Sequence, residues 1–222
     1  GFSAGVMIYV SFMELLLLSF DSLGGLYGDT YGKLIGVTAF IAGLLIMLFI
    51  DQLFDHHSIA DFISRSSNKE ESLLIRTGVF SAIALAIHNF PEGFATFTAA
   101  VYDPAVGMTL AIAIAIHNIP EGLAVSVPIY YATKSKSKAF WISFASGLAE
   151  PLGAVIGFLI FRTVYNEALF GISFALCAGI MIYVALNELL PVSKEYGKPS
   201  DPIMGVTAGI IVMAISLILM YA

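Results

Sequence analysis

The stretch Ile83–Ala95, IALAIHNFPEGFA, returns at Ile112–Ala124 as IAIAIHNIPEGLA, with ten of the thirteen paired residues identical. Both copies lie inside apolar runs long enough to cross a bilayer, for which roughly 20 apolar residues suffice. In the first copy His88 and Glu92 are i and i+4, and Asn89 lies three before Glu92, so a helix brings all three to one face. His117, Asn118 and Glu121 repeat the device. Charge in hydrocarbon is costly and by default marks function. Two sets of metal-ligand side chains with no cationic side chain beside them imply that a metal ion supplies the missing charge. The pattern predicts a membrane transporter of divalent transition metals.

The rest of the chain agrees with a membrane setting. It is 59% hydrophobic and 12% charged, with a mean hydropathy of +0.91, far from an ordinary soluble domain. Seven segments are expected to span: about Gly1–Leu18, Lys33–Phe54, Leu74–Ala99, Ala105–Tyr131, Ala139–Arg162, Leu169–Leu190 and Pro202–Ala222. They consume nearly all the sequence, so residues 1–222 are expected to form a single all-α, polytopic transmembrane domain. Cys177 lies within the sixth segment and reads as inert packing, since one thiol makes neither a disulfide nor a site. No signal peptide is expected before the first span, since the chain opens on Gly1 already inside an apolar run.

With seven alternating spans, Arg65, Lys69, Arg76, Lys134, Lys136, Lys138, Lys194 and Lys198 fall on one side, and only Lys33 and Arg162 on the other. Eight against two places the first group in the cytoplasm, with the first span starting inside and Ala222 ending outside. A cytoplasmic (inner) membrane is the expected location. The net charge of −6 points to no nucleic-acid partner, because Glu14, Glu92, Glu121, Glu150 and Glu188 lie in the membrane. The expected partners are the lipid bilayer and divalent ions, and a homodimer stays open as an assembly.

A second repeat joins distant parts of the chain: Ala4–Leu16 (AGVMIYVSFMELL) matches Ala178–Leu190 (AGIMIYVALNELL) at nine of thirteen positions. These spans lie an odd number of crossings apart, and the two HN-x-PEG helices are neighbours, so both pairs read as inverted repeats. That plan recurs in secondary transporters, with the substrate site near the midplane. The second half carries a helix before its AGIMIYV helix and the first half does not. One further N-terminal span is therefore expected, giving eight helices in a 3+2+3 arrangement with both termini outside.

A third carboxylate, Glu150, stands beside Pro151 in the next span, preceded by the small residues Ser143, Ser146 and Gly147. Pro91 cannot donate to the carbonyl of Ile87, and a freed carbonyl at membrane depth needs an ion or water. Three carboxylates, two imidazoles and two amides outnumber the ligands of a four-coordinate site. Either two ions share bridging carboxylates, or one ion exchanges among ligand sets. Imidazole mixed with carboxylate suits Zn, Fe(II), Mn, Co and Cd, whereas Ca and Mg prefer oxygen alone. Met7 is a candidate thioether ligand, with core packing as its alternative. Candidate pathway residues are Glu14 and Asp21 toward the outer end of the first span, Glu188 toward an inner end, and Asp51, Asp55, His56 and His57 in a cytoplasmic connection.

The two HN-x-PEG helices, SFASGLAEPLGAVIG and GFSAGVMIYVSFMELL together resemble the ZIP family of zinc and iron transporters, most of all its bacterial ZupT-type branch. The resemblance covers essentially the whole chain. It implies eight spans, both termini outside, and inward transport in which one helix bundle slides against another. It also implies that His88, Asn89 and Glu92 match the fourth-helix metal motif, His117, Asn118 and Glu121 the fifth-helix motif, and Glu150 the sixth-helix ligand. Met7 falls where some members contribute a second-helix ligand. The metals are cargo, and no catalytic cofactor is expected.

Two other readings compete on these residues. A cation/calcium exchanger also uses inverted repeats, but histidines at both repeat positions count against it. An intramembrane zinc hydrolase would need a metal-bound water and a general base, as in HExxH. Here Asn follows each His, and inverted duplication serves alternating access better than one catalytic centre.

Overall fold

The structure, a computed structural model, describes residues 1–53, 69–163, 166–196 and 198–221. Among them every element is helical: α1 (Phe2–Val10), a π-helical turn (Ser11–Leu15), α2 (Leu16–Tyr27), α3 (Asp29–Leu53), α4 (Lys69–Tyr102), α5 (Pro104–Thr133), α6 (Lys136–Gly147), α7 (Ala149–Thr163), α8 (Glu167–Val184), a second π-helical turn (Ala185–Leu189), α9 (Leu190–Tyr196) and α10 (Asp201–Tyr221). Six segments are long and apolar enough to cross a membrane: 2–27, 29–52, 104–133, 136–160, 167–187 and 201–219. Those six are counted among the described residues; α4, 34 residues long, carries the first HN-x-PEG motif.

Local chemistry sets the helix ends. The Asp103 carboxylate accepts from the Ala105 amide at 2.7 Å, with Pro104 pre-set for the first turn of α5. Ser135 and Asn166 cap α6 and α8 in the same way. Between α2 and α3 the chain reverses at Gly28, whose φ of 81° suits a residue without Cβ. The expected first span lengthens: α1, the π turn and α2 form one continuous 26-residue segment, which takes Asp21 into the helix. The expected fifth span carries a one-residue irregularity at Leu148, which keeps helical φ and ψ (−65°, −14°) and donates to the Phe144 carbonyl, so residues 136–160 stay one segment.

Helix α8 lies at the centre, with Phe170, Phe174, Cys177, Met181 and Val184 buried. The core it shares with α1 includes Met7, Val10 and Met213. By contrast α3 and α10 present apolar faces outward, as at Phe49, Ile218 and Leu219, and this surface suits hydrocarbon.

Three helix pairs meet backbone to backbone through reciprocal glycines. A Cβ on Gly43 would lie 2.2 Å from the Leu176 carbonyl oxygen, and one on Gly179 would lie 2.1 Å from that of Phe40, which joins α3 to α8. Gly5 and Gly209 meet Val206 and Phe2 likewise, joining α1 to α10. Gly93 and Gly153 meet Glu150 and Phe90, joining α4 to α7. Small residues permit such close approach where lipid supplies no hydrophobic drive to association. The two π turns begin at Ser11 and Ala185, the same register of the AG-x-MIYV repeat, and Gly5 and Gly179 are equivalent within it.

The glycines separate into those that hold the bundle and those that do not. Gly179→Leu forces a side chain onto the Phe40 carbonyl, and overpacking of this kind typically costs about 1–3 kcal/mol. Gly25 has nothing within 4 Å of its Cβ position, so Gly25→Ala should be neutral or stabilising by up to about 1 kcal/mol. Thermal unfolding in detergent is expected to show a lower midpoint for the first variant only.

Candidate metal centre

The motif helices α4 and α5 are antiparallel neighbours, because the short connection at Asp103 returns the chain directly. Helix α4 continues through Pro91. Glu92 and Glu121 are each 1% exposed and Asn89 3%, so both carboxylates of the doubled motif are enclosed deep in the bundle. Just past Leu148, α7 opens with Ala149-Glu150-Pro151. The Gly93–Gly153 contact then presses this first turn onto the motif of α4.

The result is a direct link between two predicted ligands. The Asn118 side-chain amide donates to Glu150 Oε2 at 2.7 Å, bridging α5 and α7. The side-chain carbonyl oxygens of Asn89 and Asn118 are buried without a hydrogen-bond partner among the described residues. Buried oxygens of this kind call for a ligand, and amide oxygen is a hard donor for a divalent ion. Neighbouring backbone is braced by hydroxyls: Ser143 Oγ donates to the Gly122 carbonyl at 3.0 Å, Ser146 Oγ to the Ser143 carbonyl at 2.7 Å, and Thr96 Oγ1 to the Glu92 carbonyl at 2.8 Å. Pro151 withholds a donor from Gly147, which lines the same space.

Asn89, Asn118 and Glu121 line a cavity of about 380 Å³ with Ser126, Ser143 and Ser146. Glu150 lines a second space of about 660 Å³ with Gly93 and Thr96. The first extends along α5 and α6 toward the Lys134 end of the bundle, the second toward the Asp103 end. The Asn118–Glu150 hydrogen bond joins a residue of one to a residue of the other.

Other expected residues fall in varied places. His88 and His117 lie on α4 and α5 one turn before Glu92 and Glu121, and Glu188 lies in the second π turn, but their side chains are outside the described part. Asp55, His56 and His57 lie outside the described residues. No group of three His, Cys, Asp or Glu side chains able to hold a metal occurs among the described residues. Met7 is fully buried in the core cluster that includes Ala95 and Ile114, each three residues from a motif position. Glu14 is buried in the first π turn. Asp21 is exposed. Near it Tyr102 has its pKa raised by partial burial and by the Asp21, Glu167 and Asp103 carboxylates, so these four groups share one end of the bundle. Asp51 accepts from Tyr183 Oη at 2.9 Å and Asn187 Nδ2 at 3.4 Å, tying the end of α3 to the end of α8. The serine and threonine braces have no clear mark in the sequence, where Ser143 and Ser146 read as small residues; their i, i+3 spacing ahead of Glu150 is the one signal.

The family model for ZIP zinc transporters matches residues 55–217. A protein named zinc transporter ZupT from Chlorobaculum parvum is 50% identical over 225 residues, spanning 99% of this chain and 84% of that protein. Proteins of the same name from Oceanobacillus iheyensis and Campylobacter jejuni are 47% and 44% identical, over 99% and 98% of this chain and 85% and 83% of their own lengths.

The close crossing predicts an asymmetry between equivalent glycines. A Cβ on Gly93 would lie 1.8 Å from the Glu150 carbonyl, whereas one on Gly122 meets only Ser143 Oγ at 3.4 Å. Gly93→Val should displace Glu150 and weaken Cd²⁺ binding about tenfold or more, the scale on which supporting groups act at metal sites. Gly122→Ala should bind like the parent. Titration of both purified variants, with helicity checked by circular dichroism, distinguishes them.

Proposed function

The chain belongs to the ZIP zinc transporter family, and on that footing we propose that it carries Zn²⁺, and also Fe²⁺, Mn²⁺, Co²⁺ and Cd²⁺, into the cytoplasm through a site built from His88, Asn89, Glu92, His117, Asn118, Glu121 and Glu150. Metal-ion transport by a multi-pass membrane protein, rather than enzymatic catalysis, follows from the family itself. The observation that carries the site assignment is the Asn118–Glu150 hydrogen bond beside the cavity that Asn89, Asn118 and Glu121 line, with Glu92 buried one turn along α4 from Asn89.

The chemistry of such a site is that of exchange. A dehydrated divalent ion needs negative charge to replace its water, and carboxylates in low dielectric attract it strongly. Imidazole adds affinity for transition metals over Ca²⁺. The lack of clustered thiolates leaves the ion releasable. Asn118 would give up Glu150 as an ion arrives, while its own carbonyl oxygen faces the site. Placement of these groups between two cavities directed to opposite ends supports access from each side in turn.

Helix α4 is read as a seventh span, and the inverted 3+2+3 plan is supported by the π turns in equivalent register and by the equivalent Gly5 and Gly179 crossings. The lysine-rich end, with Lys134, Lys136, Lys138, Lys194 and Lys198, is read as cytoplasmic. Met7 is retained as a candidate soft ligand of the same site. Glu14, Asp21, Asp51 and Glu188 are retained as pathway residues, with Asp51 also bracing α3 against α8.

The histidines test the assignment. Removing imidazole takes away a ligand without leaving a buried charge, so His88→Ala with His117→Ala should insert and fold normally. Zn²⁺ and Cd²⁺ uptake into sealed vesicles should fall at least about tenfold, since even outer-shell groups act on that scale. Undiminished uptake would remove both histidines from the ligand set.

A further inference from the structure

The connection from α5 to α6 reads Lys134-Ser135-Lys136-Ser137-Lys138, three cations within five residues. All three lysines are exposed, and none has an ion-pair partner among the described residues. Their placement compounds the charge. Lys136 and Lys138 lie in the first turn of α6, where the helix dipole is already positive and no acidic side chain offsets it. Lys134 ends α5 at φ 51° and ψ 21°, the left-handed position that glycine usually takes. Its Nζ stands 5.3 Å from the centre of the Tyr131 ring, a contact that holds the ammonium without neutralising it.

The neighbours of this corner set its level in the membrane. Residues 104–133 and 136–160 are both long and apolar enough to span, so the connection between them emerges at a bilayer surface. Tyr130, Tyr131, Phe140, Trp141 and Phe144 are exposed around it. The ring centres of Phe140 and Phe144 lie 5.2 Å and 5.7 Å from that of Trp141. Tyr and Trp are favoured at the headgroup level. The anion at hand is therefore a headgroup phosphate, and near an anionic surface each lysine adds attraction.

We propose that Lys134, Lys136 and Lys138 bind the headgroup phosphate of one anionic phospholipid at the turn from α5 to α6. Charge sets the class of lipid. Phosphatidylcholine carries its own cation beside the phosphate, whereas phosphatidylglycerol leaves the phosphate uncompensated for the lysines. Phe140, two residues after Lys138, also lines the cavity that Asn118 and Glu121 share, so the bound lipid borders the candidate site. The assignment rests on the charge and level of this corner and is independent of metal transport.

Trp141 is the only tryptophan in the sequence and is 60% exposed, which makes it a built-in reporter. The protein is reconstituted in phosphatidylcholine vesicles containing increasing fractions of chain-brominated phosphatidylglycerol or chain-brominated phosphatidylcholine, and quenching of Trp141 is followed. Half-maximal quenching should need about fivefold less of the brominated phosphatidylglycerol, the scale that one lysine near an anionic surface contributes. Lys134→Gln, Lys136→Gln and Lys138→Gln together should make the two lipids equal, whereas the three Lys→Arg changes together should keep the preference. Equal quenching by both lipids in the parent overturns the proposal, as does a preference that survives the three glutamines. Quenching by neither lipid also overturns it, because a further span or a second copy then covers the corner. So does loss of the preference on adding inorganic phosphate at constant ionic strength, which assigns the corner to a free anion. If the glutamine variant fails to insert, the parent decides: its preference must shrink as salt is raised. No metal enters the measurement, so its failure would leave the transport reading standing.

Discussion

A carboxylate enclosed by helices in a bilayer must be compensated, and every other feature of this site answers to that requirement. Glu92 and Glu121 are almost wholly enclosed, and the motif supplies no lysine or arginine beside them. Side-chain amides and hydroxyls can satisfy individual oxygens but cannot cancel the charge. A divalent cation can, and it must dehydrate to do so. On the proposed reading, the pairing that would let the protein tolerate its acids would also select its cargo.

Bringing Glu150 against the motif helices is a problem of helix approach. Ordinary side chains hold helix axes 8–10 Å apart, too far for the first turn of α7 to press on the motif. Gly93 and Gly153 remove the obstruction, and Glu150 in that turn accepts from the Asn118 amide. The reciprocal glycine device recurs at Gly5–Gly209 and Gly43–Gly179. In each pair the glycine on one helix meets a carbonyl on the other, a contact suited to weak Cα–H···O bonding. Where lipid gives helices no solvophobic reason to associate, this backbone proximity is a principal source of cohesion.

The helices thus fall into two packed groups. One holds α4, α5, α6 and α7 with the candidate ligands, and the other holds α1, α2, α3, α8 and α10. Contacts between the groups run from α4 to α8 and from α5 to α1 and α10. The Cys177–Pro91 hydrogen bond is one of them, so the thiol read as inert packing sits on the seam. A site held rigidly in one group and lightly against another has the mechanical form that exchange between two faces requires, since the ligands keep their geometry while their surroundings change.

The sequence alone determined the all-helical membrane class, the doubled His-Asn-x-Pro-Glu-Gly motif, the third carboxylate at Glu150 and the demand for a divalent transition metal. Those follow from local properties: the length of apolar runs, the 3.6-residue period that gathers His, Asn and Glu, and the cost of charge in hydrocarbon. Only the tertiary structure decided that Asn118 holds Glu150, that Asp51 braces α3 against α8, and that Gly93 rather than Gly122 or Gly25 sits at a crossing. It also decided the π turns at Ser11 and Ala185, for which the sequence carries no periodic signal. The physical reason is shared. A glycine in a helix states that close approach is permitted, but which backbone approaches, and what space is left beside it, depends on residues far apart in the chain.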